Sequence, residues 1–298
     1  MEGVPLSQPL TDSYRYCTSL ARRTGRNFYF TFLTLPRTLF RDMCVLYAFM
    51  RITDDLGDSF HISVEDRRNH LAHWRGQLHR ALAGEMTEGK VFPALADVVA
   101  RHRIPSEYLD EVINGVQTDL TPRTFRTFDD LSGYCYQVAG AVGLCCIHIW
   151  GFHDDRARQA AIDCGTAFQL TNILRDLAED VSVGRVYLPE EDLRRFDYGP
   201  DDLRAGLRDE RFREMMQFQV DRAHGYYERA VELYDCLSQP GRRVYSAMYH
   251  LYGGLLQEIE RRNYDVYSGR VRLSTSRKWC IAASSLLSRR FEGLPRPT

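Results

Sequence analysis

Lysine is nearly missing from this chain of 298 residues. Only Lys90 and Lys278 occur among its 39 basic side chains, and the others are arginines. The formal net charge is −1 and no block of like charge occurs, which argues against nucleic-acid binding as the main activity. The abundant arginine side chains remain well suited to phosphate, because a guanidinium can hold two oxygens at once.

Long apolar runs are also missing. The most apolar stretch, residues 138–152, is shorter than the roughly 20 residues that a membrane-spanning helix requires, and it predicts a buried helix. Residues 1–10 lack the basic start and apolar stretch of a secretory signal, and residues 281–287 are too few for a terminal anchor. We expect a cytoplasmic protein whose contact with a membrane, at its inner face, is peripheral.

Cysteine pairs at metal-binding or redox spacing are absent. The eight cysteines (17, 44, 135, 145, 146, 164, 236 and 280) form no Cys-x-x-Cys motif. Most fall inside predicted helices, where a reduced cysteine packs as a small apolar residue. No Gly-x-Gly-x-x-Gly motif follows a predicted strand either, so a Rossmann-type NADPH site is not expected.

Helical patterns recur along the whole chain, and strand patterns are scarce. Ser63 with Asp66, and Thr127 with Asp130, have the spacing of capping boxes that open helices. Further helices are predicted over about 155–181, 207–237 and 243–263. With 44% apolar residues the chain can bury a large core, and no composition change marks a boundary. We therefore predict an all-α protein with one domain over residues 1–298.

Two clusters of acidic and amide side chains lie far apart in the sequence. Asp54 and Asp58 are four residues apart, and Asn172, Asp176 and Asp180 follow one another at the same spacing. Residues at this spacing project from one face of an α-helix, so each cluster forms a row of oxygen ligands. Like charges in such a row cost about 0.2–0.5 kcal/mol per pair, and a Mg²⁺ ion, which prefers oxygen, removes that cost. Two facing rows would suit a diphosphate bound through magnesium, whereas a single acidic pair is more often a solvated helix face.

Small residues interrupt the predicted helix that begins after Thr127. Gly140 and Gly143 stand in its middle beside Ala139 and Ala141. Glycine costs roughly 1 kcal/mol relative to alanine inside a helix, so its presence indicates that bulk is unwanted here. Either another helix packs closely against this stretch or a cavity needs the room, and the spacing favours neither.

Five ordered motifs carry a resemblance that covers nearly the whole chain. They are Asn27-Phe28-Tyr29 with Leu35-Pro36, Tyr47-Ala48-Phe49 through Arg51 to Asp54-Asp55, Tyr134-Cys135-Tyr136-Gln137-Val138-Ala139-Gly140 with Val142-Gly143, Asn172 to Asp180 with Gly184-Arg185-Val186-Tyr187-Leu188-Pro189, and Asn263-Tyr264-Asp265-Val266. Together they make the chain similar to the squalene and phytoene synthases, which join two prenyl diphosphates head to head. The resemblance implies a class I isoprenoid synthase-like helical bundle around a central cavity, and it favours the cavity explanation for the two glycines.

The resemblance also implies a role for each row. Asp54 and Asp58 would be ligands of a first magnesium-binding motif, and Asn172, Asp176 and Asp180 would be ligands of a second. Mn²⁺ could substitute for Mg²⁺ at such oxygen ligands.

Basic and amide side chains beside the rows would hold the substrate. By resemblance, Arg51 and Arg175 would pair with diphosphate oxygens, and Gln169 would extend the second row toward the substrate. Family members often carry a His-Ser-Lys-Ser stretch where this chain has Thr24-Gly25-Arg26-Asn27. Arg26 would then replace the charge of the lysine with a planar fork.

Six aromatic side chains are candidates for the wall of the cavity: Phe28, Phe32, Tyr47, Tyr134, Tyr136 and Tyr264. An aromatic face attracts a cation by roughly 0.5–2 kcal/mol and would shield a carbocation from water. Ordinary core packing is the alternative for each, although Tyr134 and Tyr264 lie in family motifs, and catalytic roles are expected for them. Phe32 stands four residues after Phe28 and should share its helical face, so its ring could shorten a prenyl-chain pocket.

We therefore expect a Mg²⁺-dependent condensation of two farnesyl diphosphates, through presqualene diphosphate, to a C30 product of the squalene or dehydrosqualene type. The alternative is a phytoene synthase that condenses two geranylgeranyl diphosphates to a C40 product. NADPH use stays open, because reductive members of the family need no Rossmann fold. A terpene cyclase and a non-catalytic helical assembly factor are hypotheses from other classes. Besides prenyl diphosphates, the expected partner is a downstream isoprenoid-pathway enzyme that takes up the oily product.

Overall fold

The chain folds as a bundle of α-helices. The computed structural model describes residues 7–59, 61–121, 123–287, 291 and 293–294, with the backbone alone at 26, 27, 286 and 287. Its helices are α1 (Gln8–Thr24), α2 (Arg26–Phe32), α3 (Arg37–Gly57), α4 (Val64–Leu82), α5 (Phe92–His102), α6 (Ser106–Thr118), α7 (Phe128–Cys135), α8 (Ala141–Trp150), α9 (Arg156–Ser182), α10 (Glu190–Arg195), α11 (Pro200–Ala205), α12 (Glu210–Ala230), α13 (Leu233–Cys236), α14 (Gln239–Arg261) and α15 (Thr275–Leu287). A π-helical turn, Tyr136–Gly140, joins α7 to α8. Helices make up 74% of the structure and no strand occurs among the described residues, which confirms the all-α prediction.

Two helices begin where their sequences predict. The hydroxyl of Ser63 accepts a 3.0 Å hydrogen bond from the backbone N–H of Asp66 at the start of α4. Thr127 and Asp130 cap each other reciprocally at the start of α7. These bonds satisfy backbone N–H groups that have no partner within the first helical turn. The segment predicted as one helix over 207–237 instead forms α12 and the short α13.

Helix α9 approaches α8 and the π-helical turn closely at two glycines. A Cβ atom on Gly143 would lie 2.8 Å from the carbonyl oxygen of Ala161. A Cβ atom on Gly165 would lie 2.5 Å from the carbonyl oxygen of Ala139. Any larger residue at either position would push the two backbones apart, since real Cβ atoms do not come so near to a carbonyl oxygen. Close helix packing therefore explains Gly143, which also lines a cavity described below.

Helices α3 and α9 carry the two rows of oxygen side chains. The other face of each helix is buried in the core, with Leu46 and Phe49 in α3 and Ile173 and Leu177 in α9. This amphipathic arrangement directs the polar rows away from the core. Members of both rows meet at one cavity.

The cysteines are reduced, as their spacing predicts. Seven are buried and Cys280 is exposed, and no disulfide occurs in the part of the chain that the structure describes. Burial raises the pKa of the Cys17 and Cys44 thiols to about 12. Within the described ranges, the helices are too short or too polar for any of them to span a membrane.

Candidate active site

A cavity of about 760 Å³ opens between the helices that carry the two rows. Its polar wall contains Arg51, Asp54, Asn172, Arg175, Arg270, Arg272 and Lys278. Its apolar wall contains Phe28, Phe30, Phe32, Met43, Leu46, Tyr47, Met50, Val112, Val138, Val142, Cys146, Met248, Tyr252, Val271 and Leu273. Such a division suits an amphiphile that has an anionic head and a long apolar tail.

The first row lies at the end of α3, where Asp54 lines the cavity and Asp58 caps the helix. Asp54 is exposed to the cavity, yet the surrounding protein removes much of its hydration. This burial, together with the charge of Asp58, raises the pKa of Asp54 to about 7, although Arg51 opposes the shift. Arg51 itself donates hydrogen bonds of 3.2 Å and 2.5 Å to Asp55, one helical turn further on.

The second row lies on α9, where Asn172 lines the cavity. Burial, with the charge of Asp176, raises the pKa of Asp180 to about 7. The guanidinium of Arg175 donates two hydrogen bonds to Asp176, of which the bond from Nε is 2.8 Å long. Asn172 Oδ1 is buried and has no hydrogen-bond partner among the described residues. An unpaired buried oxygen is costly, so this atom is available to a cation or to a hydrogen-bond donor.

Asp119 links the two rows. It follows α6 directly and accepts hydrogen bonds of 2.7 Å from the Tyr134 hydroxyl and 3.2 Å from the Tyr187 hydroxyl. Its charge contributes to the raised pKa of Asp54 and of Asp180, one from each row. Both rows therefore converge on the same region. Burial also raises the pKa of Asp119 itself, against these two hydrogen bonds.

Arg185 completes the connection between the rows. Its guanidinium lies 3.5 Å from Asp58 Oδ1 and donates a 3.4 Å hydrogen bond to the backbone oxygen of Asp119. It also lowers the pKa of Asp180. One cation thus lies among carboxylates of both helices, where it offsets part of their mutual repulsion.

The donor set fits a magnesium site that a diphosphate completes. In the described ranges, no three Asp, Glu, His or Cys side chains lie close enough to hold a metal ion by themselves. Mg²⁺ normally takes only one or two carboxylates, with water and phosphate oxygens filling its octahedron. The unpaired Oδ1 of Asn172 and the raised pKa values of Asp54 and Asp180 indicate a site with excess negative charge and spare oxygen ligands. Asp54, Asp58, Asn172, Asp176 and Asp180 are thus the side chains that would hold the ions.

The comparison with known proteins agrees with this geometry, because residues 21–277 match the squalene/phytoene synthase family. The chain belongs to this family. It is 36% identical over 290 residues to a 15-cis-phytoene synthase of Synechococcus elongatus, which covers 93% of this chain and 94% of that protein. It is 35% identical over 293 residues to a phytoene synthase of Arthrospira platensis, with 94% of both chains covered.

Solved structures show the same fold. A dehydrosqualene synthase in complex with a ligand superposes with a TM-score of 0.86 at 26% identity and covers 93% of this chain and 96% of that one. A squalene synthase from Alicyclobacillus acidocaldarius superposes with a TM-score of 0.81 at 30% identity and covers 87% and 97%. The class I isoprenoid synthase-like fold is thereby confirmed.

Membership of the squalene/phytoene synthase family establishes the class of reaction. The chain is a prenyltransferase that acts by head-to-head prenyl transfer. The family binds prenyl diphosphates with divalent metal ions. The terpene cyclase and the non-catalytic assembly factor therefore lose their support.

Three of the six aromatic candidates line the cavity of this family member. Phe28 and Phe32 share one face of α2, as their spacing predicts, and their ring centroids lie 6.3 Å and 6.5 Å from that of Tyr47. Tyr252 of α14, which the motifs do not include, lies 5.8 Å from Phe28 across the cavity and stacks on Phe168 at 4.4 Å. Aromatic faces thus meet from three helices.

The other three aromatic candidates line neither of the two cavities described here. Tyr134 is buried and faces Asp119. Tyr136 begins the π-helical turn near Glu111, on the side of α6. Tyr264 has a left-handed backbone with φ of 63° and lies near Glu260. None of these three side chains therefore forms part of the cavity wall. Tyr134 instead contacts Asp119, which lies near both acidic rows.

The remaining predicted residues are divided between the cavity and its neighbour. Arg51, Asn172 and Arg175 line the main cavity, whereas Gln169 lines a second one of about 130 Å³. Gln169 also accepts a 3.5 Å hydrogen bond from the amide of Asn172. The side chain of Arg26 lies outside the described residues, so its role stays a prediction.

Sequence reasoning missed Asp119 and Arg270. Asp119 belongs to no acidic cluster, and Arg270 lies in an irregular segment outside the five motifs. Arg185 and Tyr187 lie in the motif from Gly184 to Pro189, which pointed to this segment but not to the role of either side chain. A list of polar residues within the motifs would have found these two.

Proposed function

We propose that this chain condenses two geranylgeranyl diphosphates head to head, with Mg²⁺, to the C40 product phytoene. Its sequence likeness to phytoene synthases carries the proposal, at 36% identity over 93% of the chain. Its identity to the dehydrosqualene and squalene synthase structures is lower, at 26% and 30%. The expectation of farnesyl substrates and a C30 product is therefore less well supported than its alternative.

The shape of the interior supports a long prenyl chain. The second cavity adjoins the main one, because Phe28, Val142 and Cys146 line both. It continues toward Trp150 and Tyr245, between α8, α9 and α14. Phe32 lines only the main cavity, so its ring does not close this direction. A prenyl tail that extends past Val142 would therefore enter the second cavity, which gives room for the additional carbons of the longer substrate.

The arginine side chains begin the reaction by stabilising the departing diphosphate. Arg51 and Arg175 line the same wall as Asp54 and Asn172, so their guanidinium groups can donate to oxygens on which charge develops. When bound, Mg²⁺ would neutralise further charge on the same group. The allylic C–O bond then breaks, and its electron pair leaves with the diphosphate.

The apolar wall protects the allylic cation that results. The faces of Phe28, Tyr47 and Tyr252 surround the cavity and offer cation–π stabilisation where water is excluded. The cation alkylates a double bond of the second substrate, and loss of a proton yields a cyclopropylcarbinyl diphosphate. A second ionisation, rearrangement and proton loss give phytoene, so this sequence requires no hydride and no NADPH.

A C30 synthase remains the second candidate. The observation in its favour is the TM-score of 0.86 with a dehydrosqualene synthase that covers 93% of the chain. The same rows and arginines would act on two farnesyl diphosphates through presqualene diphosphate. Proton loss would end that reaction as dehydrosqualene, and hydride from NADPH would end it as squalene.

One incubation separates these functions. Purified chain with Mg²⁺ is supplied with geranylgeranyl or farnesyl diphosphate, each with and without NADPH. Products are identified by mass spectrometry before and after phosphatase treatment. We expect a C40 hydrocarbon from geranylgeranyl diphosphate that does not depend on NADPH. A C30 hydrocarbon from farnesyl diphosphate, formed with a higher kcat/KM, would overturn the proposal in favour of the second candidate.

Location and downstream partners are proposed on the chemistry of the product alone. A C40 hydrocarbon is insoluble in water, so it must pass to a membrane or to an enzyme that accepts it. We propose a cytoplasmic protein with peripheral contact at the inner face of the membrane and a downstream isoprenoid-pathway enzyme. Sedimentation with lipid vesicles checks the membrane contact, and no binding would contradict it.

A further inference from the structure

Arg270 reaches the second acidic row from a distant part of the chain. It lies in the segment between α14 and α15, residues 262–274, which we call the strap. Its Nη2 lies 3.0 Å and 3.1 Å from the two carboxylate oxygens of Asp176, and its Nη1 lies 3.3 Å from Glu179. Val271 and Leu273 of the strap are buried against the cavity. The strap thus places a cation directly on the row that would hold metal.

The carboxylate of Asp176 is already fully engaged by guanidinium groups. Arg175 donates to both of its oxygens, and Arg270 contacts both as well. A Mg²⁺ ion needs a lone pair on one of these oxygens at about 2.0–2.1 Å and would meet two positive groups on the way. Metal can therefore bind Asp176 only if one guanidinium leaves.

Arg270 is the guanidinium that can leave. Arg175 adjoins Asp176 on α9, and its side chain is only 14% exposed, so the helix holds it beside the carboxylate. Arg270 comes from irregular backbone, and its side chain is 35% exposed. Its side chain also lines the cavity, where an anionic diphosphate could receive it.

We propose that Arg270 is a displaceable counter-cation that occupies Asp176 until metal and diphosphate arrive together. Mg²⁺ alone must compete with Arg270, whereas a diphosphate offers the released guanidinium new oxygens. Binding of metal and binding of diphosphate are thereby coupled, and each must strengthen the other. The inference rests on the proposed function only in that the ligand is a metal-bound diphosphate, whatever the length of its prenyl tail.

The test measures Mn²⁺ binding by electron paramagnetic resonance, with no prenyl substrate present. We expect Arg270→Gln to bind Mn²⁺ alone about fivefold more tightly than the unaltered chain, because the competitor is gone. Inorganic diphosphate should then increase the Mn²⁺ affinity of the variant less than that of the unaltered chain. Since neither probe carries a tail, a wrong assignment of the product would leave this result intact.

Matched variants separate competition from other roles. Arg194→Gln removes the same charge from an arginine that pairs with Glu190 at the surface and lines neither cavity, and it should change the affinity for Mn²⁺ less than twofold. Arg270→Lys keeps the positive charge but loses the planar guanidinium that contacts two oxygens. Its affinity for Mn²⁺ should lie between that of Arg270→Gln and that of the unaltered chain. Melting curves confirm that each variant is folded.

Two results would overturn the inference. If Arg270→Gln binds Mn²⁺ alone no more tightly than the unaltered chain, Arg270 does not compete with metal for Asp176. If Asp176→Asn binds Mn²⁺ as well as the unaltered chain does, Asp176 is not a metal ligand. Arg270 then cannot compete with the metal ion for it. In either case a product analysis would still decide the proposed function separately.

Discussion

Tyr134 donates a 2.7 Å hydrogen bond from its hydroxyl to Oδ2 of Asp119. The bond ties a tyrosine of the motif from Tyr134 to Gly140 to the carboxylate that lies between the two acidic rows. Tyr187 stacks on Tyr134 with ring centroids 5.4 Å apart and donates to the other oxygen of Asp119. We therefore propose that Tyr134 is a positioning residue that acts through Asp119 and not through the apolar wall.

Tyr134→Phe should lower kcat about tenfold, because it removes a hydrogen bond to a charged group while it keeps the ring. The variant should also need more Mg²⁺ for half-maximal rate, since the Asp119 carboxylate, whose charge acts on both rows, would no longer be held by Tyr134. Steady-state rates at several Mg²⁺ concentrations measure both effects. Tyr226→Phe, the same change on α12, is the control. If the losses of Tyr134→Phe and Asp119→Asn were additive in the double variant, the two side chains would not act as a unit.

Asp54→Asn should lower the rate by about 10²–10³-fold at saturating Mg²⁺, because it removes a metal ligand from the polar wall. The same change should make the metal-free protein more stable at pH 8, since it removes a poorly hydrated carboxylate that lies among like charges. Rates and melting curves in EDTA check the two effects together. Glu214→Gln, on an exposed face of α12, is the matched control. A normal rate in Asp54→Asn with intact helicity would refute its assignment as a ligand.

The stability of the metal-free protein should fall as the pH rises from about 4 to about 7 through the contribution of Asp54 and Asp180. Folding raises the pKa of each from 3.8 to about 7, so in this range the folded state binds more protons than the unfolded state. Mg²⁺ requires the ionised carboxylates, so its affinity should rise over the same range and level off above pH 7. Melting curves in EDTA from pH 5 to pH 8 measure the contribution as the difference from Asp54→Asn/Asp180→Asn. If the stability difference between the unaltered chain and the double variant did not change with pH, the raised pKa values of Asp54 and Asp180 would be contradicted.

Cys146→Leu should shift the preference of the enzyme toward the shorter substrate. Cys146 is buried and lines both cavities, so a larger side chain there narrows their junction. We expect kcat/KM for geranylgeranyl diphosphate to fall about tenfold more than that for farnesyl diphosphate. Unchanged selectivity in Cys146→Leu would show that the tail does not pass the junction.

Phe32→Ala enlarges the main cavity, because Phe32 lines it, and should favour the longer substrate. The same ratio of kcat/KM values for the two diphosphates measures the effect. Unchanged selectivity would show that Phe32 does not limit the length of the tail.

The sequence by itself determined the all-α class, the two oxygen rows and the apolar faces behind them, although not every helix boundary: the segment 207–237 forms two helices. Each is a local property, because the period of 3.6 residues decides which side chains share a helix face. That is why the spacing of Asp54 with Asp58, and of Asn172 with Asp180, already predicted a site for metal and diphosphate. The same period placed Phe28 and Phe32 on one face of α2.

Only the tertiary structure decided which distant residues meet at those rows. Asp119 reaches the rows because α6 packs against α3 and ends beside Tyr134 and Tyr187, which hold its carboxylate. Arg270 reaches Asp176 because the strap packs Val271 and Leu273 against the cavity. The aromatic candidates divided for the same reason: Tyr47 faces the cavity, whereas Tyr136 and Tyr264 do not. Local periodicity sets the direction of a side chain relative to its own helix, but contacts between remote segments depend on how the whole core packs.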